Sequence, residues 1–576
     1  MKSLLIKKYT DLDNLHLING IHPVLQTVYR NRKIKSSDEL DNQLKNLLPY
    51  TDLLGIDKAA EIVASAITSS QRILIVGDFD ADGATSTAVV IRLLKACGVE
   101  DVSYLVPNRF DFGYGLTREL LEHGLDDMPD LIITVDNGIA SIDGVDYANQ
   151  LGIKVIVTDH HLAADELPEA AAIVNPNQPG CHFKSKSLAG VGVVFYLMMA
   201  VRALLRKRNW FTQNLPEPNL ASVLDLVALG TVADVVPLDR NNRILVDQGL
   251  KRIRAGLCCP GIKSILQIAG KNQSNCVASD LGFSVAPRLN AAGRLEDMSV
   301  GIECLISDDE DYCLQISERL HQLNLDRRSI ESNMLEEAMI ELESVSQDLN
   351  ETEMPSALVL YNENWHQGVI GILASRIKER FNRPVIAFAS SDDNEIKGSA
   401  RSIKGLHVRD ALDLIDKECP NTIVKFGGHA MAAGLTIKES NLELFKAQFE
   451  KVASELLSED DLQGVVHTDG ELQGSDFSLS LAETLRYAGP WGQHFPEPVF
   501  DNEFVVNEWR VVGTGHLKLK LQLHNDGELI DAIAFNTTEE QLGENSDKIR
   551  ALYKLDVNEF RNKKSLQLMI EYLEPA

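Results

Sequence analysis

Four short blocks in the first half of the chain carry side chains of the types that can hold divalent metal ions. The first reads Gly77-Asp78-Phe79-Asp80-Ala81-Asp82-Gly83-Ala84-Thr85-Ser86. The second is ITVDNGI around Asp136, the third is Asp159-His160-His161, and the fourth is LGTVADVVPL around Asp234. Carboxylates with imidazole suit Mn2+, with Mg2+ as the harder alternative. The first block is no phosphate-binding P-loop. Its glycines stand one residue too far apart, no lysine follows Gly83, and three carboxylates repel phosphate unless a metal intervenes. Nor does it complete a calcium hand: the spacing starts well at Asp78 but puts Val89 where a bidentate glutamate is required. If the block is extended, Asp80 and Asp82 point to the same side. By itself it fits either a solvated acidic turn or a cluster for one or two hard cations.

The elements around these blocks say how they meet. Ile73–Val76, Leu131–Val135 and Lys154–Thr158 are short apolar runs, each followed by one of the acidic blocks, with a helix expected from Thr85 to Cys97. Apolar strands alternating with helical stretches predict a parallel α/β sheet, which binds ligands at the carboxyl ends of its strands. Residues 1–50 read as a polar, irregular extension. Residues 298–352 read as a charged helical connector, a helix pair rather than a dimeric coiled coil. A second α/β unit runs from Ala357–Tyr361 through Pro384–Ala389 to the glycine-rich Gly427–Gly434. From about residue 465, Phe504–Val506, Val511–Val512, Leu517–Leu523 and Ala532–Phe535 form short apolar clusters between turns, which predicts a small β-barrel or sandwich. The expected divisions are therefore 1–50, 51–297, 298–352, 353–460 and 461–576.

Bulk properties set limits on partners. The chain has 576 residues, 44% of them hydrophobic and 24% charged, so it has ample core material. Its formal net charge of −28 excludes a general basic coat, and any nucleic-acid site must be local or helped by bound metal. The apolar run Leu4–Ile6 is too short for a signal-peptide core, and Ala189–Val201 is too short to span a bilayer, so it reads as a buried helix. Eight cysteines without a CxxC pair read as free thiols in a reducing cytosol.

The segments VGDFDADGATS, NRFDFGYGLT, TVDNGI, TDHH, LGTVADVVPL, APRLNAAGRL, WHQGVIGI, KGSARS and GGHAMAAG, spread over residues 76–434, resemble the DHH phosphoesterase superfamily. Within it, the similarity is to the bacterial single-strand-specific exonucleases. This resemblance implies a parallel-sheet DHH domain, a helical connector, a second α/β domain of DHHA1 type and a C-terminal OB-like barrel. It implies two ions, Mn2+ or Mg2+. Asp80 and Asp136 would hold one; Asp82, Asp136, His160 and Asp234 would hold the other. Asp78 and His161 would stand beside them, and Asp159 would orient a histidine. Two such ions clamp a phosphodiester and activate water, with no protein nucleophile.

By the same resemblance, Ser399, Arg401 and Arg109 hold a 5′-terminal phosphate, joined by Gly427, Gly428 and His429, although the two glycines alone also suit a tight turn. Arg288 and Asn290 either reach the scissile region or belong to a helix-capping loop. In the tail, Trp491, Phe495, Phe500 and Trp509 are either base stackers or core, and Lys518 and Lys520 form a small basic stripe. The implied activity is 5′-to-3′ degradation of single-stranded DNA to mononucleotides in recombination and mismatch or excision repair. The chain would be a cytoplasmic monomer working with single-strand-binding protein and a RecQ-type helicase. Two other readings stay open: a DHH-type phosphodiesterase for short oligonucleotides, cyclic dinucleotides or pyrophosphate, and a non-catalytic replication scaffold.

Overall fold

A computed structural model describes residues 5–9, 20–108, 115–125, 128–164, 166–348, 354–391, 394–513, 515–523, 527–537, 542, 547–561 and 563–576. The chain forms two compact units, Lys8–His321 with His467–Ala576, and Met1–Lys7 with Gln322–Val466. Each is described by itself.

The larger unit is built on a five-stranded parallel sheet. Its spatial order is Val102–Leu105, Ile73–Val76, Leu131–Val135, Lys154–Thr158, Ala172–Val174. Ile73–Val76 and Leu131–Val135 are buried along their whole length, as strands covered on both faces must be. The first strand of this sheet in chain order, Ile73–Val76, sits inside it, with the second on one side and the third on the other. The strand order therefore reverses between Ile73–Val76 and Leu131–Val135, and a crevice opens at their carboxyl ends. The apolar stretch expected to be a buried helix is one, Gly190–Lys207.

The same unit ends in a closed five-stranded barrel: Phe500–Val512, His516–Gln522, Ile530–Ala534, Lys563–Pro575 and Lys548–Phe560, in that order around the ring. Ile530–Ala534 and Lys563–Pro575 are its parallel pair. The two long C-terminal strands are additions to the sequence reading. Leu517, Leu519 and Leu521 are buried at every second position, the period of a strand with one dry face.

Three of the four candidate stackers are core. Trp491, Phe495 and Phe500 are buried, and the Trp491 and Phe495 rings stack 5.0 Å apart. Trp509 alone is open to solvent, at 46% exposure. The lysine stripe is also redrawn by the register. Lys518 faces Arg510 and Ile533, whereas Lys520 faces Glu508 and Asp531, whose carboxylates offset it.

Residues 20–50 are not irregular. Pro23–Asn31 is a helix that buries Leu25, Val28 and Tyr29. Just beyond it, Arg32 donates in a fork to the Asp469 carboxylate at 2.5 and 2.8 Å and to the carbonyls of Pro496 and Glu497 at 3.0 and 3.2 Å. Both charged side chains are buried, at 2% and 1% exposure. The Tyr29 hydroxyl donates to the Ala488 carbonyl at 2.9 Å. A nine-residue helix is too short for apolar periodicity to announce it, and its burial is decided by residues more than 400 positions away.

The smaller unit holds a mixed sheet in the order Ile423–Gly428, Ala432–Lys438, Glu395–Arg401, Val385–Ser390, Leu358–Asn362, with only the last two parallel. The region expected to be a helix pair is a short helix, Ser299–Ile306, followed by one 39-residue helix, Glu310–Asp348. Asp469→Ala strands a buried guanidinium and should cost about 3–5 kcal/mol in urea denaturation. The Arg32→Ala/Asp469→Ala double variant should lose less than the two single losses combined.

Candidate metal centre

All four blocks arrive at the crevice. Asp78 and Asp80 follow Ile73–Val76, Asp136 follows Leu131–Val135, and Asp159-His160-His161 follows Lys154–Thr158. Asp234 caps the carboxyl end of the helix Leu224–Ala233. The side chains form three overlapping groups: Asp78 with Asp80 and Asp136, Asp136 with His160 and His161, and Asp82 with His160 and Asp234. Within each group the ligand atoms lie no more than 4.8 Å apart. His160 Nε2 stands 3.1 Å from Asp136 Oδ1 and 3.5 Å from Asp234 Oδ2. Such a set of oxygen donors with imidazole is able to hold hard divalent cations.

Asp80 and Asp82 do not share a side of an extended loop. Asp80 is the N-cap of the helix Ala81–Ala96, its Oδ1 accepting from the Asp82 and Gly83 N–H groups at 2.9 and 3.0 Å. The helix therefore starts before Thr85, and Asp82 lies in its first turn. An aspartate cap satisfies the orphan N–H groups there and overrides the strand-like alternation. Asp82 is turned inward, and its two oxygens accept the N–H groups of Gly190 at 2.7 Å and Val191 at 3.0 Å. These belong to the first turn of Gly190–Lys207, whose partial positive charge favours a carboxylate.

Gly190 is needed for contact. A Cβ there would lie 2.5 Å from Asp136 Oδ1 and 2.6 Å from Asp136 Cβ. Gly230 plays the same part from the next helix, where a Cβ would lie 2.2 Å from Thr85 Oγ1 and 2.8 Å from Asp82 Oδ1. Asp159 ties two loops together. Its Oδ1 meets His161 Nδ1 at 2.6 Å and accepts the His160 N–H, while its Oδ2 accepts the Ile139 N–H at 2.9 Å. The backbone is strained where it presents two of these acids: Asp136 has φ 62° and Val235, just after Asp234, has φ 58°. The second is costly for a β-branched residue.

Burial and mutual repulsion set the electrostatics. Burial, then the charge of Asp80, pushes the Asp82 carboxyl up to about 7. Burial and neighbouring carboxylates also hold Asp136 and Asp234 well above the usual range. Asp159 behaves oppositely. Burial opposes its charge, but its bond to His161 and the two imidazoles outweigh that and hold it at about 2. His161 is lowered by burial, more than offset by Asp159 and the other carboxylates, and ends at about 9. Asp234 Oδ2 is buried and accepts no hydrogen bond from a described residue. A crowded, buried carboxylate set with such an oxygen fits a divalent cation.

Among the proposed substrate residues, Asn290 lies at this site but is engaged: its Oδ1 accepts the Ala81 N–H at 2.8 Å, bracing the first block. Arg288 donates from Nη1 to the Ser284 carbonyl at 2.5 Å. Arg109 lies outside the described residues. In the smaller unit, Ser399 and Arg401 sit two apart on one strand, with Arg401 Nη1 donating to Ser399 Oγ at 3.1 Å. Burial lowers the Arg401 pKa. The register sets Gly434 beside Ser399 and Gly427 beside Gly434, and a Cβ on either glycine would meet nothing within 4 Å. This leaves an open floor without side chains next to Ser399 and Arg401. Gly428 lies at the end of its strand, and the turn closes where the His429 N–H donates to the Ala432 carbonyl at 2.8 Å.

Sequence reasoning missed Gly190, Val191 and Gly230. The available signal was a glycine opening an otherwise apolar helix, a position that permits close backbone approach.

Three family models match: the DHH family N-terminal domain over residues 72–231, the DHHA1 domain over 355–455 and the RecJ OB domain over 468–572. The single-stranded-DNA-specific exonuclease RecJ of Salmonella typhimurium is 52% identical over 96% of each chain. The chain belongs to the RecJ family. RecJ of Escherichia coli is 50% identical, again over 96% of each chain. The crystal structure of RecJ from Thermus thermophilus in complex with Mn2+ aligns with a TM-score of 0.78 at 29% identity, over 96% of this chain and 76% of that one.

Gly190→Ala should cost at least tenfold in Mn2+ affinity by calorimetry, because the added methyl displaces the Asp136 carboxylate. The pH dependence follows from Asp82. Its folded pKa is raised above the unfolded value, so its contribution is full below about pH 4 and is lost as pH rises through about 7. Chelator-treated protein should therefore melt at lower temperature at pH 8 than at pH 6, and added Mn2+ should remove that difference.

Proposed function

We propose that the chain is a metal-dependent exonuclease that degrades single-stranded DNA from the 5′ end to mononucleotides. The observation that carries this reading is the place of Asp136 in two of the three metal-holding groups, which suits a carboxylate shared by two ions. Asp80 and Asp136 hold one ion; Asp82, Asp136, His160 and Asp234 hold the other. Asp78 and His161 complete the surroundings. When bound, Mn2+ or Mg2+ neutralises phosphate charge and lowers the pKa of water. The protein supplies the rest. Asp159 fixes the His161 ring, the Gly190 and Val191 N–H groups aim Asp82, and Asn290 holds the loop that carries Asp80.

The similarity to relatives named single-stranded-DNA-specific exonucleases supports the substrate. The barrel supports a polymer over pyrophosphate or a cyclic dinucleotide, because OB folds bind single strands. In this reading 51–297 is the catalytic domain, 298–352 the connector, 353–460 the substrate-binding domain and 461–576 the nucleic-acid-binding domain. Ser399 and Arg401 take the 5′-terminal phosphate, for which a buried guanidinium is the natural donor. Gly427, Gly428 and His429 border it. The work lies in recombination and mismatch or excision repair, by a monomer in the cytoplasm, beside single-strand-binding protein and a RecQ-type helicase.

The test is digestion of a 3′-labelled single strand with Mn2+, run beside the matching blunt duplex. The single strand alone should shorten stepwise. Asp82→Asn, which keeps an oxygen for one of the Gly190 and Val191 N–H groups and sets its NH2 against the other, should slow it at least a hundredfold while circular dichroism shows the variant still folded. An intact strand alongside turnover of a cyclic dinucleotide would move the assignment to small substrates.

A further inference from the structure

One exposed apolar side chain, on a turn that packs against the helix ending at Asp234, has no role in the reading above. Phe283 is 84% exposed, the most exposed large apolar residue among those described. It lies in a π-helical turn, Leu281–Val285, whose Leu281, Ser284 and Val285 are buried. Turns of this kind recur at functional sites. The turn runs straight into the helix Ala286–Leu295, which carries Arg288 and Asn290, and Asn290 holds the Asp80 loop. The turn also packs on the helix that ends at Asp234, since a Cβ on Gly282 would lie 3.3 Å from Val232 Cγ1. Phe283 is thus fixed to the two elements that position Asp80 and Asp234.

A single surface phenylalanine needs no explanation, but this one stands on the lip of a cleft of about 430 Å3 between the catalytic core and the barrel. Leu250, Tyr487, Trp491 and Met569 give the cleft an apolar lining, and the Arg254 guanidinium lies 5.2 Å from the Tyr487 ring centre. Its charges cancel locally. Lys271 pairs with Asp280 at 2.8 Å, Lys554 with Glu497 at 2.7 Å and Arg486 with Asp556 at 3.9 Å. A cleft so balanced has no field to draw a phosphate. Its walls are apolar and polar in about equal measure, with charges of both signs, which suits an uncharged, planar, polar-edged ring.

We propose that this cleft takes a nucleobase of the single strand, with Phe283 as the stacking platform on its lip. The inference rests on the single-strand exonuclease reading and adds a base-holding site to it. A nucleobase is favoured over an apolar protein segment because the lip is continuous with the helix that carries Asn290 and packs on the helix that ends at Asp234.

The test uses the full-length protein and an oligothymidylate of about 12 nucleotides, within the span of OB-type sites. Phe283→Ala should raise KM about tenfold, the scale of one lost base stack, with kcat nearly unchanged. Its melting temperature and Mn2+ affinity should match the unmodified protein, because the ring is exposed. Phe283→Trp should restore KM and Phe283→Leu should not, which separates stacking from mere apolar bulk. An abasic nucleotide moved along the strand should reproduce the loss at one position in the unmodified protein and add nothing in Phe283→Ala. Unchanged KM in Phe283→Ala, with the unmodified protein cutting single strands normally, would overturn the stacking site and leave the lip to a protein partner. Failure of the unmodified protein to cut single strands would overturn the exonuclease reading itself.

Discussion

Crowding of buried carboxylates at one sheet edge is the constraint on which the larger unit depends. Asp78, Asp82 and Asp136 are buried and Asp80 and Asp234 half-buried where they converge, and their charges raise the cost of ionising Asp82, Asp136 and Asp234. Nothing local relieves this cheaply, so the fold surrounds the acids with oriented dipoles. Asp80 takes the first N–H groups of its own helix, and Asp82 takes those of another helix. Asp159, fully occupied with His161 and backbone N–H groups, stays ionised at the rear. The arrangement is a preorganised cluster of carboxylates and imidazoles that suits a divalent cation.

The close approaches follow from that constraint. Helix ends must come within bonding distance of Asp82, and this is possible only where Gly190 and Gly230 leave room. The strained backbone at Asp136 and Val235 marks the same demand, because loops that aim ligands inward cannot all keep relaxed dihedrals. A different device, the buried fork of Arg32 on Asp469, ties the N-terminal stretch to the segment that leads into the barrel. It gives an N-terminal stretch without legible chemistry a structural purpose.

The sequence by itself determined the sheet and its acidic strand ends. Apolar runs of four or five residues followed closely by aspartate have few structural solutions, and the order strand, acid repeats three times. Fold class and the identity of Asp78, Asp80, Asp82, Asp136, His160, His161 and Asp234 as one constellation were therefore legible. What only the tertiary structure decided were relations between distant segments: that Asp80 caps a helix and so turns Asp82 inward, that Gly190 and Gly230 touch the acids, and that Asn290 grips the Ala81 N–H. It also sorted the aromatic residues, burying Trp491, Phe495 and Phe500 while leaving Phe283 in solvent. The physical reason is common to all of these. Side-chain type and local periodicity are encoded residue by residue, whereas burial, close approach and hydrogen-bond partnership are properties of pairs brought together only by packing.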